Sequence, residues 1–285
     1  NTAFNQKLYL IINQCFLKHF GDLALLPFYQ VDAFAESIFT GNPAGVCMLD
    51  DWLENQTLQA IAEENNLSET AFVVPYGDDF KIRWFTPKVE VDLCGHATLA
   101  AAFVLFKRGM CGTETLNFHS ASGLLKVRNC NGLLQLDFPA LPFTTKTDIA
   151  DLMTTFQIPS NEVYQSKFDL LCILATQQEV ETLTPNLSTI AQYPYRGVIV
   201  TARGDDTDLY SRCFYPACNV PEDPVTGSAH CVIAPYWAQR LNQTKLSAKQ
   251  GGVRKGKLIC EVKNGRVLLS GHCQLYMKGE ITLPL

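Results

Sequence analysis

Two stretches decide the fold: Leu93-Cys-Gly-His-Ala-Thr-Leu-Ala-Ala-Ala (93–102) and Val225-Thr-Gly-Ser-Ala-His-Cys-Val-Ile-Ala (225–234). In each, a polar approach ends at a glycine that opens an apolar helix. What precedes them also matches. Phe72-Val-Val-Pro-Tyr-Gly-Asp-Asp leads through Trp84-Phe-Thr-Pro to the first glycine. Val198-Ile-Val-Thr-Ala-Arg-Gly-Asp-Asp leads through Cys213-Phe-Tyr-Pro to the second. Pro216 lies 129 positions after Pro87 and Gly227 lies 132 after Gly95, so the second loop is three residues longer. Solenoid repeats recur every ~20–50 residues, so this spacing describes one duplication and not an array.

Outward from these stretches the chain alternates short strands and helices. Tyr29-Gln-Val-Asp-Ala-Phe-Ala reads as a strand and Thr40-Gly-Asn-Pro as a turn. Trp52 to Asn65 carries apolar residues at helical spacing, Asn66-Leu-Ser-Glu ends that helix, and Thr70 begins a strand. The pattern predicts two related lobes. The first covers 28–125 and is completed by a C-terminal strand at 275–285; the second covers 126–274. The segment Leu8 to Leu26 is apolar but interrupted by Lys18, His19 and Asp22, which suits neither a spanning helix nor a signal peptide. Residues 1–27 are therefore expected to form a leader outside the fold.

Composition narrows the function. In 285 residues, 47% are apolar and 18% charged, enough apolar surface for a large core. Net charge is -5, so no broad cationic face is expected for nucleic acid. Eleven cysteines are scattered without a CxxC pair, which reads as small apolar filler in a reduced, cytoplasmic protein. No GxGxxG, GxxxxGK[ST], HExxH or GxSxG motif opens a nucleotide, zinc or serine-hydrolase reading. A membrane partner is not expected.

Duplicated lobes set their equivalent loops across one cleft, a common place for ligands. Each loop ends at a helix N-terminus, where free backbone N–H groups and the helix dipole favour an anion. Gly95-His96 and Gly227-Ser228 are thus candidate holders of a substrate carboxylate. Alone, each is also what an ordinary helix start looks like; the duplication is what makes the pair a site. Glu69, flanked by Leu67 and Phe72, is a candidate acid–base whose pKa partial burial would raise. His96 is a candidate proton relay, and Asp223 a candidate helix cap or substrate partner. Cys94, just before a helix N-terminus, is expected to have a lowered pKa and is a candidate base or nucleophile. A two-thiol racemase needs a second cysteine at the matching position, which is Thr226. A metal held by Cys94, His96 and His230 is disfavoured because the lobes would have to close tightly.

Five motifs together resemble the PhzF-like, phenazine-biosynthesis family: Tyr29-Gln-Val-Asp-Ala-Phe, Phe39-Thr-Gly-Asn-Pro-Ala-Gly-Val, Asn66-Leu-Ser-Glu-Thr-Ala-Phe, Leu93-Cys-Gly-His-Ala-Thr and Glu222-Asp-Pro-Val-Thr-Gly-Ser-Ala-His. The resemblance runs from about Tyr29 to Leu285. It implies an α+β, diaminopimelate-epimerase-like fold of two similar lobes, each a mixed sheet wrapped around a central helix. It implies a homodimeric, cofactor-free and metal-free isomerase. Glu69 would be the acid–base, His96 and Asp223 its helpers, and Asn42, Cys94, Gly95, Gly227 and Ser228 the substrate-binding residues. Where the phenazine enzyme has alanine before Gly-His, this chain has Cys94, which bears on the substrate more than on the reaction type. The expected function is proton transfer on a small carboxylate-bearing substrate. The alternatives are an amino-acid epimerase or racemase of the same fold, and a binding or regulatory protein without turnover.

Overall fold

The computed structural model describes residues 23–147, 150–160 and 162–284. The chain runs β1 (Leu23–Ala33), β2 (Asn42–Met48), α1 (Asn55–Asn65), β3 (Glu69–Tyr76), β4 (Asp79–Phe85), β5 (Glu90–Val91), α2 (Gly95–Lys107), β6 (Thr115–Ser120), β7 (Gly123–Cys130) and β8 (Leu133–Pro139). It continues through β9 (Phe143–Thr145), α3 (Ala150–Phe156), β10 (Glu162–Ser166), β11 (Asp169–Ile173), α4 (Gln177–Thr182), α5 (Leu187–Ile190), β12 (Gly197–Arg203), β13 (Leu209–Tyr215) and β14 (Val220–Asp223). The last elements are α6 (Gly227–Leu241), β15 (Lys245–Gln250), β16 (Gly256–Lys263), β17 (Arg266–Gly271) and β18 (Cys273–Pro284).

The duplication extends to the strand pairing. β1 lies antiparallel to β2, β2 parallel to β3, β3 antiparallel to β4 and β4 parallel to β6, after which β6, β7 and β8 run antiparallel. β10, β11, β12, β13, β15, β16 and β17 repeat that pattern in the same order. β18 and β9 sit at equivalent outer positions, against β1 and β10, and β8 pairs with β17 to join the halves. Parallel neighbours need a long crossover. α2 supplies it between β4 and β6, and α6 between β13 and β15.

Those two helices sit inside because they have no polar face to turn to water. Nine of thirteen residues of α2 and ten of fifteen of α6 are buried. Short side chains at Ala97 and Ala100–Ala102 let the surrounding strands approach α2 closely. The largest apolar cluster contains both helices, and two smaller ones pack on the outer sides of the halves. Pro235 within α6 cannot donate to the Cys231 carbonyl one turn back. The Leu141 amide, just beyond β8, donates to that carbonyl instead at 2.8 Å. This bond ties the junction of the halves to the second central helix.

Two expectations need correction. The boundary at 125/126 falls inside β7, and the repeated topology divides the chain between β8 and β9. The expected leader is also too long. Residues 1–22 lie outside the described residues, but Leu23 to Pro27 are already strand, paired with β18 from Pro284 to Glu280. Leu26, with Ile281 and Leu283, is partly buried against the cluster beneath α1, so the apolar stretch before Phe28 ends in strand. No helix among the described residues is long and apolar enough to cross a membrane.

Candidate active site

The site begins at a turn only glycine can make. Gly41 has φ +68°, and a Cβ there would lie 2.2 Å from the Ala33 carbonyl oxygen. Arg254 clamps the turn, donating to the Gly41 and Thr40 carbonyls at 2.7 and 2.9 Å and pairing with buried Asp32 at 2.7 Å. The next residue, Asn42, is thereby fixed at the start of β2 and is fully buried. A second entry is set by Asn66, whose left-handed φ of 49° closes α1. Ser68 and Glu69 follow immediately, Glu69 at the first position of β3, beside Ala44 of β2.

α2 and α6 start at Gly95 and Gly227, and neither start is capped by its own preceding side chain, Cys94 or Thr226. The two starts face each other: a Cβ on Gly95 would lie 3.8 Å from the Gly227 Cα. Two sets of first-turn N–H groups therefore converge on one place. The symmetry reaches the side chains one turn on. Thr98 donates back to the Cys94 carbonyl, and His230 Nδ1 to the Thr226 carbonyl at 2.9 Å.

Glu69 Oε2 and His96 Nε2 are 3.2 Å apart. They are off the direction of a hydrogen bond, and both are buried atoms with no hydrogen-bond partner among the described residues. On the far side of the ring, His96 Nδ1 lies 3.3 Å from Asn42 Nδ2 and 3.5 Å from Cys94 Sγ. Asn42 spends both its amide hydrogens elsewhere, on Asp223 Oδ1 (2.7 Å) and the Val225 carbonyl (3.0 Å). That leaves the Cys94 sulfur as the partner of Nδ1, while Nε2 faces Glu69. Burial presses His96 towards neutrality, but the Cys94 sulfur and the Glu69 carboxylate more than reverse this, and its pKa stands well above the ordinary histidine value.

Cys94 corrects an expectation. Its pKa is pushed up to about 11 by burial, with the Glu69 charge adding to the rise. Desolvation outweighs the lowering by His96 and the Ala97 backbone N–H, so at neutral pH it is a thiol. The metal reading shifts too. Among the described residues the set with mutually close ligand atoms, within 4.8 Å, is Glu69, Cys94 and His96. His230 is outside it, its Nδ1 held by the Thr226 carbonyl and its pKa lowered to about 4 by burial.

Asp223 crosses from the second half to meet these groups. It accepts from Asn42, as above, and from the Thr226 hydroxyl. Gln250 braces the loop, donating to the Asp223 carbonyl (2.9 Å) and Thr226 Oγ1 (3.1 Å) and accepting from the Thr226 amide (3.0 Å). Ser68 in turn donates to Asn42 Oδ1 at 3.3 Å. Burial and the Glu69 charge raise the Asp223 pKa to about 6, although His96 and its hydrogen bonds oppose the rise. Asp223 is half-buried and lines a cavity.

That cavity has a volume of about 460 Å³ and is lined by Glu69, Cys94, Gly95, His96, Asp223, Gly227 and Ser228. Its walls are apolar: Val91, Leu93, Phe138, Leu141, Tyr215 and Val220 among them. A few converging polar groups in an apolar pocket of this size are what a small ligand needs. Seven of the eight residues singled out in the sequence meet there. Asn42 does not. It lies behind the lining, donating to Asp223 and the Val225 carbonyl with its amide against the His96 ring.

The sequence reading missed Arg196. Its Nε and Nη2 grip the carboxylate of fully buried Asp169, with Nε to Oδ1 at 2.9 Å, and its Nη1 donates to Ser228 Oγ at 3.0 Å. Burial raises the Asp169 pKa while the guanidinium opposes it. The available signal was an aspartate beginning the apolar strand Asp169-Leu-Leu-Cys-Ile and an arginine just before Gly197-Val-Ile-Val. These strands are parallel, with Asp169 opposite Gly197.

A family model described as phenazine biosynthesis-like protein matches residues 31–279. The chain is 50% identical over 258 residues to an uncharacterized isomerase of Pseudomonas aeruginosa, covering 90% of this chain and 99% of that protein. Its structure is similar to the crystal structure of a PhzF-family phenazine biosynthesis protein of Enterococcus faecalis. The TM-score is 0.88 at 46% identity, with 91% of this chain and 100% of that one covered. A hydroxyproline epimerase of Agrobacterium vitis, solved with bound trans-4-hydroxy-L-proline, shares the fold alone, at TM-score 0.59 and 11% identity over 91% of each chain.

Proposed function

The chain belongs to the phenazine biosynthesis-like protein family, with its α+β, diaminopimelate-epimerase-like fold, and is an isomerase of that family; we propose that it moves a proton on a small carboxylate-bearing substrate without a cofactor, Glu69 being the acid–base. What carries this reading is one pair of atoms. Glu69 Oε2 and His96 Nε2 are both buried, both without a hydrogen-bond partner among the described residues, and 3.2 Å apart in the cavity where two helix starts converge. Buried, unpaired polar atoms cost stability. Side by side in a pocket, they are arranged for a ligand that supplies their missing bonds.

The Glu69 carboxylate takes a proton from a carbon made acidic by the neighbouring carboxylate or double bond of the substrate. The C–H electron pair moves into the substrate's own π system. Glu69, now a carboxylic acid, returns the proton to a different carbon, so one C–H bond breaks, one forms and a double bond shifts. His96 holds its Nε2 proton beside Glu69 and orients the carboxylate. Asp223 and Asn42 hold the loop before α6 beside the imidazole. The N–H groups at Gly95 and Gly227-Ser228 bind the substrate carboxylate and take up charge that develops on it. A positioned acid–base contributes ~100- to 10,000-fold and a preorganised anion site roughly 100- to 1,000-fold.

A thiol-pair epimerase fits less well. Such a reaction needs one thiolate on each face of the reacting carbon, whereas Thr226 stands at the position matching Cys94, and Cys94 itself is protonated. The test is incubation in deuterated water with a panel of small unsaturated and amino carboxylic acids, followed by NMR. Deuterium at a new carbon with a shifted double bond supports the isomerase. Deuterium at an α-carbon with loss of optical activity supports the epimerase instead. No exchange on any member of the panel favours a binding protein.

A further inference from the structure

Arg196 is held unusually firmly for a residue at the edge of a cavity. Two of its nitrogens are spent on Asp169, whose side chain is 1% exposed, and its guanidinium lies over the Tyr215 ring at 4.8 Å. The third nitrogen donates to Ser228 Oγ. A hydroxyl that accepts from arginine has its own hydrogen left to give, and the Ser228 hydroxyl donates to none of the described residues. Arginine has five N–H groups in a fixed fork. Three are used here, so one on Nη1 and one on Nη2 remain. Beside them, Tyr215 lines the same cavity at 5% exposure, with a buried hydroxyl that has no hydrogen-bond partner among the described residues.

We infer that Arg196 is the specificity-determining residue for the substrate's carboxylate: it commits the Ser228 hydroxyl to donate into the cavity and adds its own free N–H groups beside the start of α6. This rests on the reading of the cavity as the substrate site. The Asp169–Arg196 pair is nearly neutral as a whole. Its effect is therefore directional, turning a hydroxyl that would accept from or donate to a neutral group into a donor that favours an anion. The proton-transfer pair, Glu69 and His96, then lies in one half of the duplicated chain and the Arg196–Ser228 pair in the other, with Gly95 adding its N–H groups to the anion site from the first half. Selection of the carboxylate is separable from the chemistry.

The test uses the full chain, isotope-labelled, in the Glu69→Gln background so that nothing turns over. Benzoate and its neutral amide, benzamide, are titrated while the Gly227 and Ser228 amide resonances are followed. Benzoate should saturate these shifts and benzamide should not. Arg196→Lys, which keeps a cation opposite Asp169 but loses the fork, should weaken benzoate by about 10- to 100-fold, the range of a charge-assisted hydrogen bond. Ser228→Ala leaves the Asp169 pair intact and should weaken it comparably. The double variant should be little weaker than either single one. Benzamide binding as tightly as benzoate, benzoate affinity unchanged in Ser228→Ala or Arg196→Lys, or no response of the Ser228 amide to benzoate would each overturn the inference. None of these outcomes bears on whether Glu69 moves a proton, which exchange in the otherwise unaltered chain decides separately.

Discussion

Asp223→Asn should alter how stability responds to pH far more than it alters stability in acid. In the fold the Asp223 carboxyl stays protonated up to about pH 6, against an ordinary value of 3.8. Its folded pKa is raised, so the folded state holds a proton that the unfolded chain has already lost. Stability therefore falls as pH rises between these values and levels off above them. A displacement of this size corresponds to roughly 3 kcal/mol. Because the group borders a cavity that water can enter, roughly 2–3 kcal/mol is expected. Below pH 4 the protonated acid and asparagine are close in shape and charge. The variant then differs by about 1 kcal/mol, because its amide meets the Thr226 hydroxyl where a carboxylate oxygen had accepted from it. The assay is urea unfolding of wild type and variant at half-unit steps from pH 4 to pH 8. The variant should gain on the wild type by roughly 2–3 kcal/mol across that interval, most of it before pH 7. Parallel curves, or a wild type that gains on the variant as pH rises, would refute the reasoning.

Cys94→Ala should leave proton exchange within about tenfold of wild type, because the buried sulfur is a thiol near neutral pH and makes only a weak contact with His96 Nδ1. Iodoacetamide at pH 7.5, read by peptide mass spectrometry, should label exposed Cys218 well before Cys94. Asn42→Ala strips the donor from Asp223 Oδ1 and the Val225 carbonyl at once. Loss of roughly 2–3 kcal/mol is expected in urea unfolding, with a fall in turnover as Asp223 and the loop before α6 lose their tie to β2. Gly197→Ala would place a Cβ 2.2 Å from the Phe214 carbonyl oxygen and 2.3 Å from the Tyr215 ring. It should cost roughly 2–3 kcal/mol, whereas Gly95→Ala, whose Cβ meets nothing closer than 3.7 Å, should keep the wild-type unfolding midpoint.

The helix starts at Gly95 and Gly227 are legible in the sequence because a polar loop meeting a continuous apolar helix is a local signal, and seeing it twice fixes the architecture. Glu69 is legible for the same reason, standing between a helix ended by Asn66 and a strand of alternating partners. What the sequence hides is contact across the duplication. Asn42 reaches Asp223 over 181 positions, and Arg196 meets Ser228 only once α6 is packed at the centre. No local pattern carries those pairings. The ionisation of Cys94 was misjudged because the helix dipole can be read from neighbours along the chain, while full burial beside Glu69 cannot. The start of β1 is hidden because Leu26 packs against the core only beside Ile281 and Leu283, at the other end of the chain.

Glu69→Gln tests the central claim most directly. Glutamine keeps the shape of the side chain at the head of β3 but cannot take up a proton. On any substrate whose carbon-bound proton the wild type exchanges with deuterated water, the variant should be slower by at least about 100-fold. Its unfolding midpoint and its affinity for benzoate should stay near wild type. Exchange that persists in a folded Glu69→Gln protein at the wild-type rate would contradict the account.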